Sequence, residues 1–141
     1  MNSIDPHNVS LEGIIERGTE FHGHLGPFLV LGIRMGLLAL KDLNSSGHKD
    51  IEVRVKTGTT PPLSCLVDGI QISTGCTMGK GNISTEPLGL AEATFAANGG
   101  SVTLRVRDAV LEEIESSAYT SLEEFAWNIS ERLDEDLFER L

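Results

Sequence analysis

The chain has 141 residues, of which 40% are apolar, enough to build one contiguous core, so residues 1–141 are expected to form a single compact domain. Eleven Lys and Arg stand against 21 Asp and Glu, and the resulting formal charge of -10 argues against nucleic acid and anionic membrane as partners. The start of the chain has no basic segment followed by an apolar core, and two cysteines are far too few for a disulfide-stapled secreted domain, which together point to a cytoplasmic protein with reduced thiols.

Ser10 can cap a helix on which Leu11, Ile14, Ile15 and Gly18 fall at helical spacing, predicting a first amphipathic helix over 11 to about 21. It delivers the chain to Phe21-His22-Gly23-His24. Pro27 suits the first position of a second helix, whose apolar run continues to about Leu43. From Leu25 to Leu40 that run is shorter than the ~20 residues a bilayer requires and contains Arg34, so it reads as a buried core helix. Arg34 should then have a carboxylate partner or reach solvent. Gly32 and Gly36 share a face and suit close approach, by another helix of the chain or by a second copy of it.

Gly47 ends the helix. Ile51, Val53 and Val55 alternate with polar residues in the clearest strand pattern of the sequence. Pro61 and Pro62 interrupt it and open a short helix over 63–74, followed by an irregular glycine-rich loop at Gly75, Gly79 and Gly81. Residues 82–86 read as a further strand. Alternation on either side of Asn98-Gly99-Gly100 predicts a β-hairpin, with arms at 91–97 and 102–106. Ser121 and Glu124 form a capping box ahead of Leu122, Phe125, Ile129, Leu133 and Leu137, predicting one closing helix. The fold class is therefore α+β, an antiparallel sheet packed against several helices.

Four residues stand out as donors. His22 and His24, one glycine apart, can present both imidazoles to one side, just ahead of a long buried helix. Cys65 falls in the first turn of the short helix, where the helix dipole favours a thiolate, and Asp68 follows on the same face. Cys76 comes eleven residues later, close to three helical turns, so the two sulfurs can share a side. Each of these residues also has a plain structural reading, the histidines as a polar loop and the cysteines as small buried hydrophobes. The loop from Gly75 to Asn82 lacks the spacing of a nucleotide-binding P-loop, but its N–H groups and Lys80 could hold an anion beside Cys76.

Two stretches, Phe21-His22-Gly23-His24-Leu25-Gly26-Pro27 with Gly32 and Arg34, and Cys65 to Gln71 with Thr74 to Ile83, resemble the signatures of FmdE, a family named for formylmethanofuran dehydrogenase. The resemblance implies an α+β core, a cytoplasmic homodimer and a cleft where the matched His and Cys residues converge on a transition metal, zinc first. It also implies an association with the molybdenum or tungsten enzyme that opens methanogenesis, and so with one-carbon metabolism. Two departures stand against the pattern: Gly26 replaces a cysteine usual in the family, and residues 1–141, with two cysteines, include no cysteine-rich zinc finger.

The leading expectation is thus a metal site built from His22, His24, Cys65 and Cys76, with Cys65, Asp68 and Lys80 as candidate catalytic groups should a coordination position stay open. A non-catalytic accessory subunit or carrier of a redox complex is the second expectation. A metal-free thiol enzyme using Cys65 is the third.

Overall fold

A computed structural model describes residues 2–116 and 121–141. The elements run α1 (Leu11–His22), α2 (Pro27–Leu43), β1 (Glu52–Val55), α3 (Cys65–Thr74), β2 (Ile83–Thr85), β3 (Glu92–Ala97), β4 (Gly100–Val106), α4 (Asp108–Ser116), α5 (Leu122–Ser130), α6 (Asp134–Leu137) and β5 (Phe138–Arg140). Ser10 caps α1 by accepting from the Gly13 N–H at 3.1 Å, and Gly23 ends the helix in the left-handed region at φ 103°. Pro27 opens α2 as its spacing predicts, since a first-turn N–H has no helical partner to lose. The stop comes at Asn44 (φ 50°), three residues before the glycine expected to supply it, because asparagine also tolerates the left-handed region.

α2 is buried along nearly its whole length and forms the spine of one hydrophobic cluster to which β1, β3, β4 and α5 also contribute. It packs against α3, α1, α5 and the sheet, which explains an apolar run with no polar stripe. No helix among the described residues is long and apolar enough to cross a membrane. Arg34 finds the partner its burial demands: its guanidinium donates to Asp134 at 2.9 Å and to the carbonyls of Ile129 and Ser130, satisfying the C-terminal end of α5.

The glycines of α2 are used within the chain. A Cβ at Gly32 would stand 2.2 Å from the Leu66 carbonyl oxygen, and one at Gly69 would stand 2.2 Å from that of Leu29. The backbones of α2 and α3 therefore touch, an approach that only glycine permits on both sides. Gly36 makes room instead for side chains of α3, the Ser73 hydroxyl first.

The strands of the sheet lie in the order β2-β1-β3-β4-β5. β3 and β4 form the expected hairpin, joined through Asn98 and Gly99, both at positive φ (52° and 76°), as a two-residue turn of this kind requires. The sheet is antiparallel except for one pair. β2 runs parallel to β1, because the chain leaves β1 through α3 and re-enters the sheet in the same direction, making a βαβ unit.

Two features of the C-terminal third depart from the sequence expectation. α4 forms over a stretch that the spacing left unassigned, burying Val110. The single closing helix is instead α5 and α6, separated where Leu133 turns extended (ψ 151°), and the last residues pair with β4 as β5. The helical spacing of Leu133 and Leu137 is real, but Phe138 gains more by covering the sheet edge beside Val106 than by prolonging a helix. Ser121 does cap α5, accepting from the Glu124 N–H at 3.0 Å.

Candidate functional site

The site forms where the end of α1 meets the beginning of α3. His22 is the last residue of α1, after which Gly23 turns the chain sharply towards α2. Cys65 is the first residue of α3, behind the cis Pro61–Pro62 peptide, and Asp68 lies one turn on. The glycine contact between α2 and α3 fixes the height of α3 against its neighbours and so brings Asp68 up to the end of α1.

His22 Nδ1 and Asp68 Oδ2 are 2.6 Å apart. An ionised carboxylate can only accept, so Nδ1 carries the proton and a neutral ring presents a lone pair at Nε2. The His22 side chain is 10% exposed, and its Nε2 is the buried side-chain polar atom without a hydrogen-bond partner among the described residues. A ring fixed by a carboxylate at one nitrogen keeps the other in a set direction, where it can accept a hydrogen bond or bind a metal.

Two cavities meet at this point. The first, about 320 Å³, is bounded by Cys65, Asp68 and Gln71 of α3, by the 58–61 loop and by β2. The second, about 220 Å³, is bounded by His24, Gly26, Pro27 and Pro62. His22 and Cys65 line both. The His24 ring is 4.6 Å from that of His22, centroid to centroid, and tilted by 40°. A Cβ at Gly26 would sit 3.5 Å from His24 Nε2, so the cysteine usual at this position would project beside that ring.

Cys76 lies elsewhere. It follows the end of α3, about 15 Å along the helix from Cys65 by the rise of a ten-residue helix. It is fully buried, its Sγ 3.6 Å from the Ile51 carbonyl oxygen, and it lines neither cavity. The near-whole number of turns does not bring the sulfurs together, because they stand at opposite ends of α3 and Gly75 ends the helix at φ 76° and redirects the chain. Lys80 is also remote from Cys65: its Nζ donates to the Gly75 carbonyl at 2.6 Å and closes the C-terminal end of α3. The Gly75 to Asn82 loop is tied by its own bonds, Thr77 N–H to Asn82 Oδ1 at 2.9 Å among them. Both cysteines are free thiols. Among the described residues no three of His, Cys, Asp and Glu stand together in an arrangement that could hold a metal ion.

The electrostatics of Cys65 run opposite to the helix-dipole expectation. Burial, and then the charge of Asp68, push its thiol above the ordinary range. Burial does the same to Cys76, against the opposing pull of Thr74 and Lys80. Sequence spacing placed Asp68 correctly on the face of Cys65 but could not identify its partner, 46 positions away. Gln71 and Ile83 fall within the matched signature stretches, but no spacing assigns them, Ser84 or Thr85 to a cavity.

Comparison with known proteins places this geometry in a family. Over 85 residues, 56% of this chain, it is 36% identical to a protein of Archaeoglobus fulgidus described as a probable S-adenosyl-L-methionine-binding protein. The chain spans only 22% of that relative's length. The crystal structure of a tungsten formylmethanofuran dehydrogenase FmdE-like protein from Syntrophus aciditrophicus superimposes with a TM-score of 0.72, covering 100% of this chain and 76% of that one, at 22% identity. It shares the fold. The family described as FmdE, molybdenum formylmethanofuran dehydrogenase operon, matches residues 21–139, from the residue before His22 into β5, and the chain belongs to the FmdE family.

Proposed function

We propose that this chain is a metal-binding FmdE domain acting in one-carbon metabolism alongside a molybdenum or tungsten enzyme, with a transition metal, zinc first, held at His22. The observation that carries this reading is the buried and unpartnered Nε2 of His22, with Nδ1 fixed by Asp68 at 2.6 Å. A ligating histidine needs such an outer carboxylate to set its tautomer and orientation. Cys65, which lines the same two cavities, is the natural second donor, and His24 the third after rotation of its ring. Cys76 belongs to the core in this reading and supports the Gly75 turn. Lys80 likewise stabilises the end of α3 rather than a reacting group.

A metal bound there would supply Lewis acidity and lower the pKa of its water. The chain's own residues have distinct tasks. Asp68 keeps the His22 proton on Nδ1 and the lone pair on Nε2. Pro61 and Val67 give the first cavity part of its apolar wall. Loss of the family's cysteine at Gly26 leaves fewer protein donors than the family pattern supplies, which favours a site with room for an external ligand.

Elemental analysis of anaerobically purified protein tests the reading. The wild-type chain should carry close to one equivalent of metal and His22→Ala should lose it. Less than about a tenth of an equivalent of any transition metal in the wild type would sink the proposal. Recovery of molybdoenzyme subunits on native pull-down would support the partnership.

A further inference from the structure

β2 is an outer strand of the sheet, and its three residues line the first cavity. Val53 pairs with Ile83 and Val55 with Thr85, while the Val53 N–H donates to the Asn82 carbonyl and the Glu86 N–H to that of Val55. In a parallel ladder the strand bonds through alternate residues, so Asn82, Ser84 and Glu86 face β1. The main-chain groups of Ile83 and Thr85 therefore point away from the sheet. The Ile83 C=O and the Thr85 N–H bracket Ser84 on that side, an acceptor and a donor spaced to bridge one further residue-like unit.

The cavity reaches this edge. By the register, the Ser84 side chain lies with Arg54 on the face opposite buried Val53 and Val55, yet Ser84 lines the cavity together with Ile83 and Thr85. That residues of both facings line one cavity is the pattern of a cavity that opens on the edge of the strand. At the other end stands His22, nine-tenths buried, with Nε2 unpartnered. Between them the wall mixes apolar Val67 and Met78 with the neutral amide of Gln71. Among the described residues no Lys or Arg lines the cavity and Asp68 is its one acidic residue, in a chain of charge -10. With no metal bound, a phosphate or carboxylate entering here would meet the Asp68 charge with no Lys or Arg in the wall to offset it.

We propose that this cavity binds an uncharged small molecule bearing two amides on one carbon, as in an N-acylated amino amide, the N–H of the first pairing with the Ile83 C=O and the C=O of the second with the Thr85 N–H. Its far end reaches the His22 Nε2 lone pair, or the metal which that lone pair holds. The volume of about 320 Å³ suits a small molecule, and β2 is only three residues long, too short to grip an extended polypeptide. The inference rests on the His22 cavity being the working site but does not depend on metal being present.

The test uses the full chain, stripped of metal by chelation, in amide-resolved NMR titrations. The probes are N-acetylalanine methylamide, which carries two amides and no charge, and N-acetylalanine, which ends in a carboxylate. The diamide should shift the Thr85 and Cys65 amides at millimolar concentration, and the acid should bind at least about fivefold more weakly. Thr85→Pro removes an outward N–H that makes no ladder bond, as an edge strand tolerates, and should weaken the diamide by about fivefold. The idea is overturned if the diamide leaves these amides unshifted, if the acid binds as well, or if folded Thr85→Pro binds the diamide undiminished. Should Thr85→Pro lose its fold, the comparison of the two probes on the wild type decides alone. Metal analysis reports separately: a chain that binds the diamide but no metal refutes the metal site and leaves the amide pocket standing.

Discussion

At His22 the two ring nitrogens have different fates, one fixed by Asp68 and the other buried without a partner, and this asymmetry gives the site its testable chemistry. Asp68→Asn removes the carboxylate that orients the ring and should weaken zinc binding by about 10- to 100-fold in chelator competition. The same substitution removes a charge that raises the Cys65 thiol, so Cys65 should alkylate faster than in the wild type at a fixed pH below its pKa. Unchanged zinc affinity together with unchanged alkylation would show that Asp68 acts on neither. Gly26→Cys restores the sulfur usual in the family at a position with φ -147°, which any residue adopts, beside the His24 ring. It should tighten zinc binding by roughly tenfold or more, since thiolate is a strong zinc ligand. Legibility at this scale was uneven. His22, His24, Cys65 and Asp68 were singled out by residue type and spacing, but the pairing of His22 with Asp68 crosses from one helix to another and leaves no periodic trace. Cys76 was drawn in by a count of helical turns that the Gly75 turn makes irrelevant.

Between elements, the contact that positions the site is the glycine-to-glycine approach of α2 and α3. Gly32→Ala would gain ~1 kcal/mol of helix propensity if the helix stood alone. Here its Cβ would stand 2.2 Å from a backbone oxygen that no rotamer change can move, so the variant should instead lose about 3 kcal/mol in denaturant unfolding. A stability equal to the wild type would mean that the two helices part easily. The sequence marked Gly32 and Gly36 as a close-approach face and could not choose between a neighbouring helix and a second copy. The helix, strand and hairpin assignments from 11 to 106 were legible because each has strong periodicity and its own punctuation, such as Ser10, Pro27 and Asn98-Gly99. After Val106 the signals are weaker. β5 is three residues long and exists only because β4 offers an unpaired edge, which nothing local in Phe138-Glu139-Arg140 encodes.

For the molecule as a whole, acid stability should centre on Glu92. Its carboxylate is 4% exposed and held between Lys56 at 2.6 Å and Arg105 at 2.7 Å, tying β3 to β4 and to the residue that follows β1. Burial pushes its pKa up, but the two ion pairs outweigh burial and hold it below the ordinary 4.5. The folded state therefore binds this proton more weakly than the unfolded chain. The stabilisation is complete above the unfolded value and is lost as pH falls through the lower folded value. Glu92→Gln should flatten that acid limb and, by leaving two cations near a buried amide, lower stability at neutral pH by about 3 kcal/mol. Urea midpoints measured across the acid range up to neutrality check both effects, and a variant with the wild-type slope would assign the acid limb to other carboxylates. The sequence by itself determined the α+β class, the order of most elements and the residue types of the site, because these depend on local periodicity, capping and composition. Tertiary structure decided that β2 enters parallel to β1, that His22 meets Asp68 and shares two cavities with Cys65 while Cys76 stays in the core, and that the Cys65 thiol is raised. Each of these follows from how α3 is seated against α1 and α2, and that seating is set by backbone contact between glycines rather than by any pattern along the chain.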